Sequence, residues 1–172
     1  MKTIADNRCN ETLWTRKTCF NLKSFSGQKK FLTKSEMTIY TDGSKTENGV
    51  GADIVIYYKS NRIYKESFKL PDSSTVFQAE ILAIQKGAEY VVSIINENKV
   101  NYIKLLTDSQ AAILALNKTS IKNKSVWNTI EALETLAYNV KKLTVSWVKA
   151  HVNATGNEQA DQAAKDGAPT HG

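Results

Sequence analysis

The sequence predicts an α/β domain built on one mixed five-stranded sheet with helices on both faces, in the order β-β-β-α-β-α-α-β-α. Three observations carry this. β-rich runs early in the chain are joined by short polar turns, which makes antiparallel hairpins. A long segment then repeats apolar residues at intervals of four and three, the period of a helix packed on one face. Beyond it, short apolar strands alternate with amphipathic stretches, as parallel strands with helical crossovers require.

The elements follow in order. Met37 to Thr41 reads as the first strand, stopped by Asp42-Gly43-Ser44, with Lys45 to Asn48 turning the chain into the second. Gly49 to Tyr58 is that second strand, Lys59-Ser60-Asn61 a turn, and Arg62 to Leu70 a third strand ended by Pro71. Phe77, Ile81, Ile84, Ala88, Val91 and Ile95 form the apolar stripe of a long helix. Tyr102 to Thr107 is a short strand, Ser109 to Leu116 and Val126 to Tyr138 are helices, and Leu143 to Val148 is the fifth strand. Thr155-x-x-Glu158 has the form of a capping box and opens a last helix from about Asn157 to Gly167.

Composition bounds the possibilities. The 172 residues, 41% of them apolar, suit one domain with one core. The longest apolar runs, such as Ala88 to Ile95, fall well short of membrane-spanning length. The first residues lack the basic-then-apolar layout of a secretory signal, so an intracellular protein is expected, nucleus and cytoplasm left open. Cys9 and Cys19 have no His or Cys partners at ligand spacing, which argues against zinc and against a disulfide framework.

The charge is uneven. Residues 1–37 hold eight Lys or Arg against three Asp or Glu, whereas the rest hold fifteen against fourteen. The division expected is a basic leader or linker over 1–36, a folded domain over 37–168 and a short tail over 169–172. Such a leader attracts phosphates regardless of sequence, or is simply solvated. Its Trp14, Phe20, Phe25 and Phe31 suit base stacking or packing on a neighbouring domain.

Four acids stand out. Asp42 follows the first strand and Asp108 the fourth; if those strands are parallel neighbours, both carboxylates emerge at one sheet edge. Each alone is also ordinary turn or N-cap chemistry. Glu80 borders the apolar stripe of the long helix and has no Lys or Arg three or four residues away, so its burial must be offset by a tertiary partner or a cation. Asp161 lies among Ala160, Ala163 and Ala164, small residues that allow close approach to a sheet, though Lys165 offers an ordinary surface pair. Four acids converging from four elements would repel one another without a cation. Oxygen-only donors suit Mg²⁺ or Mn²⁺.

The strings Thr41-Asp42-Gly43-Ser44, Gln78-Ala79-Glu80, Thr107-Asp108-Ser109-Gln110, and Trp147 to His151 followed by Gly156 to Asp161 resemble the type 1 ribonuclease H family, over roughly Thr38 to Gly167. Val76 to Glu80 and Gly156-Asn157-Glu158 most resemble such domains from non-LTR retrotransposons. The chain would then be a polyprotein fragment with a reverse transcriptase neighbour.

The resemblance implies a ribonuclease H-like fold and an endoribonuclease that cuts the RNA strand of RNA–DNA hybrids. It implies two Mg²⁺ ions, with Mn²⁺ able to substitute, and products with 5′-phosphate and 3′-hydroxyl ends. Asp42 would bridge both ions, Glu80 and Asp108 would serve one, and Asp161 the other. His151 would correspond to the mobile-loop histidine that moves protons or releases product, although Ala150 and Asn153 replace glycines frequent around that loop. Ser44, Thr75, Gln110 and Asn157 are expected substrate contacts, each equally suited to a cap or surface role. Lys118 to Lys124 reads as a linker, not a separate basic helix. No membrane association is expected, and the isolated domain is expected to be a monomer. The alternative reading is a catalytically weak hybrid-binding or structural domain of a reverse transcriptase polyprotein.

Overall fold

The computed structural model describes residues 36–95, 100–118 and 120–149, with the backbone of 14–15 and 21–24. Its strands are β1 (Trp14–Thr15), β2 (Asn21–Ser24), β3 (Met37–Thr46), β4 (Gly49–Tyr58), β5 (Asn61–Leu70), β6 (Tyr102–Thr107), β7 (Ser120–Ile121) and β8 (Lys142–Trp147). Its helices are α1 (Val76–Ile94), α2 (Gln110–Leu116) and α3 (Lys124–Tyr138).

The main sheet has the order β2-β8-β6-β3-β4-β5. β3, β4 and β5 form the antiparallel meander that their short turns dictate, while β6 and β8 lie parallel on the other side of β3. All five expected strands are present in the expected mixed arrangement. A sixth comes from the leader: Asn21–Ser24 pairs in parallel with Thr144–Trp147 at the β8 edge. Trp14–Thr15 pairs separately with Ser120–Ile121. Strands this short carry no readable period, so pairing with an existing edge decides them.

The first strand departs from expectation. Asp42-Gly43-Ser44 does not end it; β3 runs to Thr46, paired with β4 in unbroken register down to Thr46↔Gly49. Asp is a poor strand former, but a continuous ladder with a strongly β-forming partner outweighs local preference. The turn lies at Glu47 and Asn48. The next hairpin turns through Lys59 (φ 50°) and Ser60 (φ 73°), the left-handed pair that a two-residue hairpin turn requires.

Alternation along β3 gives the two sheet faces separate partners. Met37 and Ile39 join the large core under α1 and α3, with Ile81, Ile84, Ala88, Ile130 and Leu133. Gly87 lets α1 come close, since a Cβ there would stand 2.8 Å from Ile39 Cγ2. Tyr40 points the other way and packs with Val55, Leu106 and Val148. The predicted stripe of α1 is buried from Ile81 onward, while Phe77 at its start is half-buried. Thr75 caps this helix in a reciprocal capping box with Gln78. The predicted last helix and its capping box lie outside the described residues.

Candidate active site

The geometry begins with strand register. Thr41↔Thr107 is the last pair of the β3–β6 ladder. The next residues, Asp42 and Asp108, therefore stand side by side where β6 stops and β3 continues with β4 alone. Hydrogen bonds fix this edge. Thr41 Oγ1 donates to the Leu106 carbonyl at 3.0 Å, and Ser109 N donates to Thr107 Oγ1 at 3.1 Å. Trp147 Nε1 donates to the Asp108 carbonyl at 3.1 Å, and Val148 N donates to the Thr107 carbonyl at 2.8 Å. The backbone carrying Asp108 is thus held from β8 as well as β6. Asp42 is buried, 5% exposed, and Asp108 is half-buried.

Glu80 reaches the same edge because Gly43 has no side chain. A Cβ on Gly43 would lie 2.6 Å from Glu80 N and 2.8 Å from both Ala79 C and Glu80 Cγ. The first turns of α1 therefore rest directly on the β3 backbone, one residue past Asp42. Burial pushes the Glu80 carboxyl above its ordinary range; a hydrogen bond from Ser109 works against this, and the nearby Asp108 adds to it. Ser109 also caps α2, its hydroxyl accepting from Ala112 N at 3.0 Å. One small residue thereby links the strand end, the next helix and the buried acid.

The structure thus places Asp42 and Asp108 side by side at the end of β6, with Glu80 near Asp108; these are three of the four acids expected from the sequence. Asp161, His151 and Asn157 lie outside the described residues. Among the described residues no three His, Cys, Asp or Glu side chains close on one point as a ready metal group. The acids are neighbours in sequence of contact, Asp42 beside Asp108 by register and Asp108 beside Glu80 by charge. The donor set is carboxylate oxygen throughout, which fits a hard divalent cation. A Glu carboxyl raised by burial and by a like charge is also one that a cation would bring back to its charged form.

The remaining expected contacts fall as follows. Ser44 is half-buried on β3, two residues beyond Asp42. Gln110 is exposed at the start of α2, two residues beyond Asp108. Thr75 is exposed, and its hydroxyl accepts from Gln78 N at 3.0 Å while its own N–H donates to Gln78 Oε1 at 2.8 Å. The Lys118 to Lys124 stretch holds β7 and contributes Lys118, Ile121 and Lys122 to the lining of a cleft of about 500 Å³, together with Phe77 and Val126. Sequence reading passed over Asp53, which is fully buried and directly opposite Asp42 in the β3–β4 ladder. An acid in the middle of an apolar strand was the available signal.

Comparison with known proteins bears on the fold and the family. The RNase H family model matches residues 34–169. A Pseudomonas putida (strain W619) protein named Ribonuclease H is 29% identical over 146 residues, covering 75% of this chain and 90% of its own. One of the same name from Francisella tularensis subsp. novicida is 28% identical over 151 residues, covering 78% and 91%. Among solved structures, the N-terminal RNase H domain of a Mycobacterium tuberculosis protein superposes with a TM-score of 0.59 at 17% identity, over 78% of this chain and 94% of that one. RNase H1 from the halophilic archaeon Halobacterium salinarum gives 0.57 at 18% identity, over 76% and 96%. The solved structures show the fold, and the family model, spanning most of the chain, shows the lineage: this chain belongs to the ribonuclease H family of hydrolytic nucleases.

Proposed function

We propose that this chain hydrolyses the RNA strand of RNA–DNA hybrids by a two-metal mechanism. The observation that supports the reading is the placing of Asp42 and Asp108 just past the Thr41↔Thr107 pair, with Glu80 brought near Asp108 by the seat of α1 on Gly43. Asp42, Glu80, Asp108 and Asp161 would hold two Mg²⁺ ions, with Mn²⁺ substituting. Bound there, the ions supply charge to activate a water and to stabilise the departing 3′ oxygen, leaving 5′-phosphate and 3′-hydroxyl ends.

The chain's own residues do the rest. The rigid β3–β6 edge fixes where Asp42 and Asp108 present their oxygens, and the α1 seat does the same for Glu80. His151 is assigned the proton movement. Ser44, Gln110 and Asn157 would touch sugars, reading 2′-hydroxyls in the shallow minor groove, and Thr75 would meet a phosphate at the start of α1. Lys118 and Lys122 would extend that phosphate track along the neighbouring cleft. Contacts of this kind carry no direct base code, so cleavage should show little sequence preference.

We further read residues 37–168 as the catalytic domain, 1–36 as a basic leader and 169–172 as a tail, acting as a monomer inside the cell, in nucleus or cytoplasm. The Val76 to Glu80 and Gly156 to Glu158 strings favour an origin in a non-LTR retrotransposon polyprotein with a reverse transcriptase partner. In that setting the second reading, a catalytically weak hybrid-binding or structural domain, would draw on the basic leader for affinity. A labelled hybrid incubated with Mg²⁺, with and without EDTA, separates the two. Metal-dependent cutting confined to the RNA strand supports the enzyme; binding without cutting supports the module.

A further inference from the structure

Asp53 is the one fully buried carboxylate among the described residues, 0% exposed in the middle of β4. It sits in Gly49–Tyr58, a strand whose other members are almost all small, β-branched or aromatic. Asp disfavours strands, and a buried carboxylate costs several kcal/mol unless its charge is compensated. Its position is specific. In the β3–β4 ladder Asp53 is directly opposite Asp42, so alternation puts both side chains on the same face, with Cβ atoms about 5 Å apart.

That face is the one away from α1. Ile39 and Thr41 line the α1 side, where a Cβ on Gly87 would meet both, and Gly43 abuts Ala79 and Glu80 there. Tyr40 and Val55, two pairs back along the ladder, belong to the cluster on the opposite face, with Leu106 and Val148. Asp42 and Asp53 continue that opposite row toward the sheet edge. On its other side Asp53 faces Ser67 of β5, a hydroxyl rather than a cation. Both residues take part in hydrogen-bonding or electrostatic interactions. Like charges set directly across a ladder nevertheless repel, and that repulsion is relieved when a cation binds beside them.

We propose that Asp53 is a positioning residue for the metal site, acting through Asp42. When a divalent cation sits beside Asp42 it compensates a charge on Asp53 as well, and the ionised Asp53 then deepens the potential at Asp42 and raises the affinity for the cation. It also helps hold Asp42 toward the sheet edge and away from its strand neighbour. The inference rests on the metal-dependent reading above.

The test is a Mn²⁺ titration of the full chain by calorimetry, without nucleic acid, comparing the parent protein with Asp53→Asn. The expected result is cation binding weakened at least roughly tenfold in the variant, because one negative charge near a divalent ion has been removed. Thermal unfolding in EDTA, where only the repulsion is felt, should show Asp53→Asn at least as stable as the parent. Should that variant fail to fold, Asp53→Thr replaces the acid with a good strand former and is titrated in the same way. Unchanged Mn²⁺ affinity in a folded variant overturns the inference while leaving the two-metal reading intact. A parent protein that binds no Mn²⁺ overturns that reading and this inference with it.

Discussion

Gly43 carries Glu80 to the edge where Asp42 and Asp108 stand by being absent as a side chain: the space its Cβ would fill is taken by Glu80 N, 2.6 Å away. The obstruction is helix backbone, which cannot rotate aside as a side-chain tip would. Gly43→Ala should therefore push α1 off β3. The expected cost is about 1–3 kcal/mol in stability, as for an overpacked interior site. Hybrid cleavage should fall at least roughly tenfold beyond the loss of folded protein, since small displacements of a catalytic group are costly. Denaturant unfolding and cleavage rates on the same preparation check both.

Asp108 should be essential to chemistry and dispensable to folding. Asp108→Asn keeps the backbone groups that accept from Trp147 and cap the strand end, while removing the charge. Cleavage should drop on the order of 1000-fold. Stability in EDTA should hold or rise, because Asp108 is one of the groups that disfavour ionised Glu80. A variant that cut hybrids at the parental rate would remove Asp108 from the mechanism.

The raised carboxyl of Glu80 makes a pH signature. A folded-state value above the unfolded one means that the native protein binds the extra proton. Its contribution to stability is full below the ordinary carboxyl value of 4.5 and is lost as pH rises through the raised folded value. In EDTA, stability should decline across that window, and Glu80→Gln should remove that part of the slope. Saturating Mg²⁺ should flatten it too. Melting curves across pH, with and without the substitution, are the measurement.

Thr75 caps α1, and its proposed phosphate contact would separate from that role kinetically. Thr75→Ala loses the hydroxyl that accepts from Gln78 N, with an expected cost of about 1 kcal/mol for a lost cap. As a phosphate contact it should also raise KM for the hybrid several-fold with little change in kcat. Unfolding and steady-state kinetics read the two effects independently; KM unchanged would leave Thr75 a cap alone.

Much of this was legible from sequence because it is written in local patterns. The α1 stripe, the fourth strand and the hairpin between β4 and β5 follow from periodicity and turns, and the acids at 42, 80 and 108 stand where polar residues interrupt those patterns. What the sequence hid is relational. That β3 continues past Asp42 depends on β4 pairing with it, and the meaning of Asp53 depends on register, which no single strand displays. The role of Gly43 is likewise invisible until α1 is seated on it; as part of Asp42-Gly43-Ser44 it reads as a turn. The leader strands are too short to announce themselves, and only the edge they join defines them.

The most direct test is a crystal structure of the protein soaked in Mn²⁺, with the ions located by their anomalous scattering. Two ions are expected at the end of β6, ligated by Asp42, Glu80 and Asp108 together with Asp161. Ions lodged elsewhere, or any one of those four carboxylates standing well apart from the others, would contradict that expectation.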